Sequence, residues 1–196
     1  MKNLWKILVL GLVIMVISLG CSQTEDGSIQ GLLLDDSSFL LTQASGNLNK
    51  GDLINITLTE PADLEPGHSY KIKIGDQVME SYPYQAQGQI LEDLGPSKAK
   101  ISLDKAQAIV DHLGQKASLI DVRTKGEYDS GHLPGAINIA LDQLENQIQA
   151  DKDQVLIVYC QSGRRSKSAS QILADLGYKV VLDGGGISSY QGEIEK

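Results

Sequence analysis

The chain has 196 residues, 41% of them hydrophobic and 21% charged, with a formal net charge of −8. That length admits one large domain or two small ones, and the composition is that of an ordinary globular protein. Two cysteines cannot build a disulfide framework, so packing has to hold the fold. The charge is uneven: residues 24–97 carry 3 basic and 12 acidic side chains, whereas residues 98–196 carry 12 basic and 13 acidic ones. An acidic middle region argues against nucleic acid as a partner, because phosphate binding needs clustered positive charge. It reads instead as a surface that keeps an extracellular domain soluble.

Residues 7–20 form an uncharged apolar run preceded by Lys2 and Lys6. At 14 residues the run is shorter than the ~20 that a membrane-spanning helix needs, and it fits a signal-peptide core. It ends at Ser18-Leu19-Gly20-Cys21, followed by the polar Ser22 to Asp26. This stretch resembles a bacterial lipoprotein signal, in which a small residue precedes a cysteine that is lipidated and becomes the new N-terminus. Leu19-Gly20-Cys21 matches that pattern, with Ser18 where leucine is commoner. The resemblance implies a signal peptide over residues 1–20, a lipidated (palmitate-bearing) Cys21 and a chain held outside the cytoplasmic membrane. Two acyl chains give stable anchoring where one would not. A polar tether is expected to follow, so that residues 21–30 carry the lipid and the tether.

From Ile29 to about Leu94 short apolar runs alternate with turn signals. The runs are Ile29 to Leu34, Phe39 to Thr42, Leu53 to Leu58, Tyr70 to Ile74 and Gln77 to Met79. Breaks fall at Asp35-Asp36, Gly46-Asn47, Gly51-Asp52, Glu65-Pro66-Gly67 and Gly75-Asp76, the last reading as a tight hairpin turn. Five short strands in so few residues suggest a small all-β, OB-like barrel over residues 31–94. The stretch from Ile74 to Pro83 resembles a small β-rich domain of secreted Gram-positive lipoproteins, which implies no known chemistry. Tyr82 and Tyr84 are expected to pack at the barrel core or rim. No metal cluster and no nucleophile–base pair stands out in this half, and any protein partner it has is not readable.

Gly95-Pro96 marks a linker over residues 93–100. Beyond it, Ser102 can cap a helix whose apolar positions Leu103, Ala106, Ile109/Val110 and Leu113 share one side, with Gly114 ending it. Apolar strands then alternate with helices: strands at Leu119 to Val122, Ile137 to Ala140, Val155 to Tyr159 and Lys179 to Leu182, helices at Asp142 to Gln149 and Arg165 to Leu176. Val155-Leu156-Ile157-Val158-Tyr159 is apolar throughout, as a strand buried on both faces of a mainly parallel sheet must be. Residues 98–196 therefore read as one α/β domain, a central parallel sheet flanked by helices.

Cys160 falls where that buried strand ends and before the next helix begins, at the carboxyl edge where ligands bind in open α/β sheets. The loop Gln161-Ser162-Gly163-Arg164-Arg165-Ser166 wraps into a helix start. Such a loop turns several N–H groups inward, and the helix end adds partial positive charge. Both effects stabilise a thiolate, as do Arg164 and Arg165 nearby. Gly163 allows the tight turn that a cradle needs.

Ser102 to Tyr190 resembles a single-domain rhodanese. The matching pieces are Leu119-Ile120-Asp121-Val122-Arg123, Glu127-Tyr128, Gly131-His132-Leu133-Pro134-Gly135-Ala136-Ile137-Asn138-Ile139, the loop Tyr159 to Ser166, and Leu176-Gly177-Tyr178 to Gly184-Gly185-Gly186. The resemblance implies that Cys160 takes sulfane sulfur from a small sulfur-containing anion such as thiosulfate and passes it, as a persulfide, to a thiol or cyanide-like acceptor. Backbone amides from Gln161 to Arg165 would hold the outer sulfur's charge and the arginines would attract the anion. No cofactor or metal is implied. A phosphate cradle of the related phosphatases has five residues between Cys and Arg. Here Arg165 follows after four and Ser166 stands in that arginine's place, so phosphatase or arsenate-reductase chemistry is disfavoured.

Asp121 and Arg123 read as an internal ion pair with Glu127 that supports the site, and His132 as a structural residue before the Pro134-Gly135 turn. His68 and His112 read as surface residues, and Gly184 to Gly186 as a close-packed turn. Tyr190 stands where rhodaneses usually carry tryptophan, which would loosen packing beside the loop. The last helix is expected to be short, because the chain ends at Lys196. Two alternatives to an enzyme remain at this point: a persulfide carrier or redox sensor without turnover, and a ligand-binding lipoprotein with the α/β unit as scaffold.

Overall fold

The computed structural model describes residues 27–196. The expected signal peptide, Cys21 and the first part of the tether lie outside those residues. β1 (Ser28–Leu33), β2 (Ser38–Gln43), β3 (Leu53–Leu58), β4 (His68–Met79) and β5 (Tyr84–Pro96) close into a barrel in the order β1-β2-β3-β5-β4. β3 and β5 run parallel, while β4 returns antiparallel to β1 with Ile29 opposite Ile72.

Runs such as Leu32-Leu33-Leu34 and Phe39-Leu40-Leu41 are apolar at every position because both faces of these strands are covered. Ile29, Leu33, Phe39, Leu41, Ile54 and Ile72 fill the barrel, where Phe39 and Tyr70 meet edge to face at 6.2 Å. The alternate residues Leu32, Leu34, Leu40 and Leu53 join a second cluster with Ile109, Leu113, Leu119 and Ile157 of the α/β unit. Successive side chains of a strand point to opposite faces, so one run serves two cores. Polar contacts clasp the same seam: Lys105 to Asp52 at 2.8 Å, Lys116 to Asp35 at 3.2 Å, and Ser38 Oγ to His112 Nε2 at 3.4 Å.

The second sheet is entirely parallel, in the order β6-β10-β9-β7-β8. Its strands are β6 (Ala99–Lys100), β7 (Ala117–Asp121), β8 (Ile137–Asn138), β9 (Val155–Cys160) and β10 (Val181–Gly186). β9 is central and wholly buried, with Val155, Ile157 and Tyr159 in the cluster shared with the barrel. Leu156, Val158 and Cys160 face the opposite cluster. α1 (Leu103–Leu113) covers the first face with Leu103, Ala106, Ile109 and Leu113, and Ser102 caps it by accepting from Lys105 N at 3.4 Å. α3 (Leu144–Gln147) and α4 (Arg164–Asp175) cover the second face with Leu144, Ala169 and Leu173.

Several expectations are corrected. The tether stops earlier than residue 30, because Ser28, Ile29 and Gln30 pair with Lys73, Ile72 and Lys71 of β4. Gly75-Asp76 is not a hairpin turn: Ile74 faces Gly88 and Val78 faces Ala86, so the extra residues bulge out of a continuous β4 that absorbs Gln77 to Met79. The chain reverses instead between Met79 and Tyr84. Residues 93–100 are not a free linker, since β5 runs to Pro96 and β6 pairs with Leu182 and Asp183. The helix expected at Asp142 to Gln149 shrinks to a 3-10 turn, Leu141–Gln143, followed by α3. Gly184 to Gly186 extend β10 rather than forming a turn, because small residues let that strand lie directly against the Cys160 loop. β7 and β10 are displaced from the expected spans and β8 is shorter. After β10 come a 3-10 turn, Ile187–Ser189, and an isolated antiparallel bridge from Glu195 to His132.

Both histidines expected at the surface are engaged. His68 Nδ1 lies 2.9 Å from Asp93 Oδ2, and His112 sits at the Ser38 seam. Their partners are far away in sequence and meet them only through strand pairing and docking. Tyr82 is 56% exposed at the barrel rim, while Tyr84 packs against the barrel core.

Candidate active site

β9 delivers Cys160 to the carboxyl edge of the sheet. The chain turns through Gln161 and Ser162, and Gly163 adopts φ 91°, a left-handed conformation that favours glycine. α4 then begins at Arg164 with no side-chain oxygen capping it. The sulfur takes that role: Gly163 N–H donates to Cys160 Sγ at 3.2 Å and Ser166 N–H at 3.4 Å. Helix N-termini leave N–H groups without internal partners, and here they converge on one sulfur atom. Burial pushes the Cys160 thiol up, but the amides of Ser166, Ser162, Gly163 and Arg165 outweigh it and hold the thiol below its ordinary value.

The loop is pinned from behind. Ser166 Oγ donates to Asp183 Oδ1 at 2.6 Å, and the same oxygen accepts from Gly185 N–H at 2.9 Å. Ser188 N–H donates to Gln161 O at 3.1 Å. Gly186 pairs with Cys160 across β9–β10, and a Cβ there would lie 2.7 Å from Ser162 Cα.

Two of the three arginines around the loop are paired with carboxylates. Arg165 grips Glu127 with two hydrogen bonds, 2.8 and 2.6 Å long, and its guanidinium brings the Glu127 carboxyl down to about 2. Glu127 also closes a capping box with Thr124 at the start of α2 (Lys125–Asp129), a helix not anticipated from the sequence. Arg123 binds Asp121 through Nε and Nη2, the latter at 2.6 Å, and reaches Gly131 O at 2.6 Å and Gln161 Oε1 at 3.3 Å. The expected link from Asp121 and Arg123 to Glu127 is thus replaced by two separate pairs. Arg164 is exposed, and His132 stacks on Tyr128 at 3.7 Å and approaches Glu195 rather than the loop. Tyr190 packs against the core beside a cleft of about 340 Å³ lined by Ser102, Ser162, Gly163 and Gly185.

Sequence reasoning missed Asn138 and Asp183. Asn138 Nδ2 donates to the carbonyls of Asp121 and Arg123, each at 2.9 Å, and so fixes the turn that carries the Arg123 pair. Its signal was a polar residue within an otherwise apolar strand run. Asp183, just before the glycines, gave no signal, since its partner Ser166 is recognisable only in space. Among the described residues no group of three His, Cys, Asp or Glu side chains could hold a metal ion.

Residues 102–193 match the family model described as rhodanese-like domain. Thiosulfate sulfurtransferase PspE of Escherichia coli is 41% identical over 71 residues, covering 35% of this chain and 68% of that protein. The chain belongs to the rhodanese-like family. Human thiosulfate:glutathione sulfurtransferase is 33% identical over 78 residues, covering 32% of this chain and 68% of that one. A solved structure of a rhodanese with anions from E. coli is 36% identical and spans 41% of this chain and 98% of its own, at a TM-score of 0.39. The rhodanese-like segment thus starts at the cap of α1, and the barrel and β6 precede it.

Proposed function

We propose that the chain is a membrane-anchored, extracytoplasmic sulfurtransferase working through a persulfide on Cys160. The observation that carries this reading is the convergence of the Gly163 and Ser166 amides on Sγ. The Cys160 thiolate attacks the outer sulfur of thiosulfate, the S–S bond breaks, and sulfite leaves with the bonding electron pair. The acceptor's thiolate, or cyanide, then attacks the outer sulfur of the persulfide, and the electron pair of the broken bond returns to Cys160. Splitting the transfer into two displacements lowers each barrier, and the amides that hold the thiolate also suit the persulfide's negative outer atom. The E. coli and human relatives are named for thiosulfate, and the human one also for glutathione, which supports a small sulfur anion and a thiol as the two substrates.

The anchor rests on the apolar run of residues 7–20 and on Leu19-Gly20-Cys21. An OB-like reading of the barrel is supported by its strand order, with β3 parallel to β5 and β4 closing onto β1. The test incubates the full chain, purified in detergent, with thiosulfate and cyanide beside Cys160→Ser. Thiocyanate above the variant's level, with one sulfur atom added to Cys160 by mass, is expected. Neither signal with any sulfur donor would refute the reading. Mass analysis of the mature N-terminus tests the anchor, a diacylated Cys21 being the expected result.

A further inference from the structure

With Arg165 held by Glu127 and Arg123 by Asp121, the cations free to meet an anionic substrate are the exposed Arg164 and any others that the fold brings close to the loop. A groove of about 760 Å³ opens beside Gly163 and runs between β6 and α4. Lys98, Lys100 and Lys167 line it, and the one acid among its lining residues is Asp183, whose Oδ1 is occupied by Ser166 and Gly185. Lys98 Nζ donates to the neutral Gln171 Oε1 at 2.7 Å and so keeps its charge uncompensated. Lys100 and Lys167 are exposed and make no ion pair among the described residues. Lys100 also lines the smaller cleft on the other side of Gly163, and its Cε lies 3.7 Å from where a Gly185 Cβ would stand. Both Lys98 and Lys100 precede the rhodanese-like segment, which begins at residue 102. They are brought to the mouth of the loop because β6 adds to the edge of the sheet, with Lys100 opposite Asp183.

We propose that this groove docks the sulfur acceptor, and that Lys98, Lys100 and Lys167 select thiols that carry carboxylates. The inference rests on the persulfide reading and names the acceptor class for that same site. The groove's volume is in the range of small-ligand sites and exceeds what thiosulfate needs, and its rim is positive on a chain of net charge −8. The carboxylates sit among the lysines while the thiolate, its proton already lost to solvent, attacks the outer sulfur beside Gly163. A new S–S bond forms on the acceptor, the bond to Cys160 Sγ breaks, and Cys160 is left as thiolate.

The experiment loads the full chain in detergent with thiosulfate, removes the excess, and follows loss of the outer sulfur from Cys160 by mass. Mercaptosuccinate is the anionic acceptor and 2-mercaptoethanol the neutral one, with rates expressed per concentration of thiolate. The wild-type chain is expected to favour mercaptosuccinate, and Lys100→Glu and Lys167→Glu to lower the mercaptosuccinate-to-mercaptoethanol ratio by about threefold to thirtyfold each, as reversing an exposed charge implies. Lys50→Glu, on the barrel, controls for net charge and is expected to leave the ratio alone. An unchanged ratio in both groove variants, or an equal fall in Lys50→Glu, would overturn the docking proposal while leaving the sulfurtransferase reading intact. Failure of the wild-type chain to take up sulfur at all would overturn both.

Discussion

Gly186→Ala isolates the role of the loop that cradles the sulfur. Gly186 has φ −119° and ψ 134°, which any residue adopts, so alanine brings no backbone strain of its own. Its Cβ would stand 2.7 Å from Ser162 Cα and 2.8 Å from both Gln161 O and Ser162 C, all backbone atoms that cannot swing aside. Restoring an ordinary contact of 3.4 Å from 2.7 Å moves the loop by about 0.7 Å. β10 cannot yield instead without breaking the Gly186–Cys160 pairing. A shift of that size moves the amides of Gly163 and Ser166 off a sulfur they now meet at 3.2 and 3.4 Å. Misplacement by ~1 Å costs about a hundredfold in rate, so sulfur loading should slow by about tenfold to a hundredfold. Overpacking should cost about 1–3 kcal/mol in stability. The assay pairs single-turnover loading from thiosulfate with the pH dependence of Cys160 alkylation, whose midpoint should rise towards that of a free thiol. A variant that is merely less stable, with loading rate and alkylation midpoint unchanged, would refute the claim that the amides set the reactivity of this sulfur.

Further outcomes follow from the same geometry. Alkylation of the native chain should reach half its maximal rate at a lower pH than in the urea-unfolded chain, because the amides depress the native thiol; the thiolate's contribution to stability is complete above the unfolded value near 9.0 and fades as pH falls through the native one. Glu127→Gln should cost about 1–2 kcal/mol at pH 7, discounted for the exposure of 29% and 34% on its pair with Arg165. Because the Glu127 pKa is depressed from 4.5 to about 2, that difference is present above pH 4.5 and shrinks as pH falls towards 2, which urea melts across this window would detect. Gly67→Ala places a Cβ 2.2 Å from the Lys179 carbonyl oxygen at a residue with φ 91°, so thermal melting should show a loss beyond ~1 kcal/mol. Leu53→Ala, in the core common to both units, should cost about 2–5 kcal/mol and lower the melting of barrel and α/β unit together.

The α/β half was legible because its signals are local. Val155 to Tyr159 announce a doubly covered strand by composition, Ser102 and Gly114 bracket α1, and the order strand, cysteine, glycine, arginines, helix marks out the Cys160 loop without any knowledge of its neighbours. β5 was harder to read, because its inward positions Ala86 and Gly88 are small: a Cβ on Gly88 would meet Ile56 Cγ2 at 2.9 Å and Ile72 Cγ2 at 3.1 Å. A strand narrowed to fit a crowded barrel loses the apolar alternation by which strands are recognised. The Asp121–Arg123 pair was legible because its members lie two residues apart, but the partner of Arg165 was hidden for a different reason. Glu127 and Arg165 are both visible in the sequence, yet their meeting depends on how α2 and the Cys160 loop approach one another.

That pairing decides where the site's positive potential originates. Two carboxylates and two guanidiniums close to the loop largely cancel, so peptide dipoles hold the Cys160 thiol down, while Arg165 reaches the sulfur only as a guanidinium already paired with Glu127. Dipoles fixed by β9, β10 and α4 would need no reorganisation if charge moved, as proposed, from Sγ to an added outer sulfur, and they offer no strong, full charge that would hold an anionic product. Had Arg165 been free, sulfite would compete with the next thiosulfate for its guanidinium. In the proposed cycle, tying Arg165 to Glu127 would remove that competition and leave long-range attraction to cations at the rim, where their effect is screened by salt. On this logic Glu127→Gln does more than weaken a helix start: it releases Arg165 and should make sulfite a better inhibitor of thiosulfate turnover. Steady-state inhibition by sulfite measures this directly. Unchanged inhibition in the variant, with Cys160 still loading sulfur, would mean that the ion pair serves the fold alone.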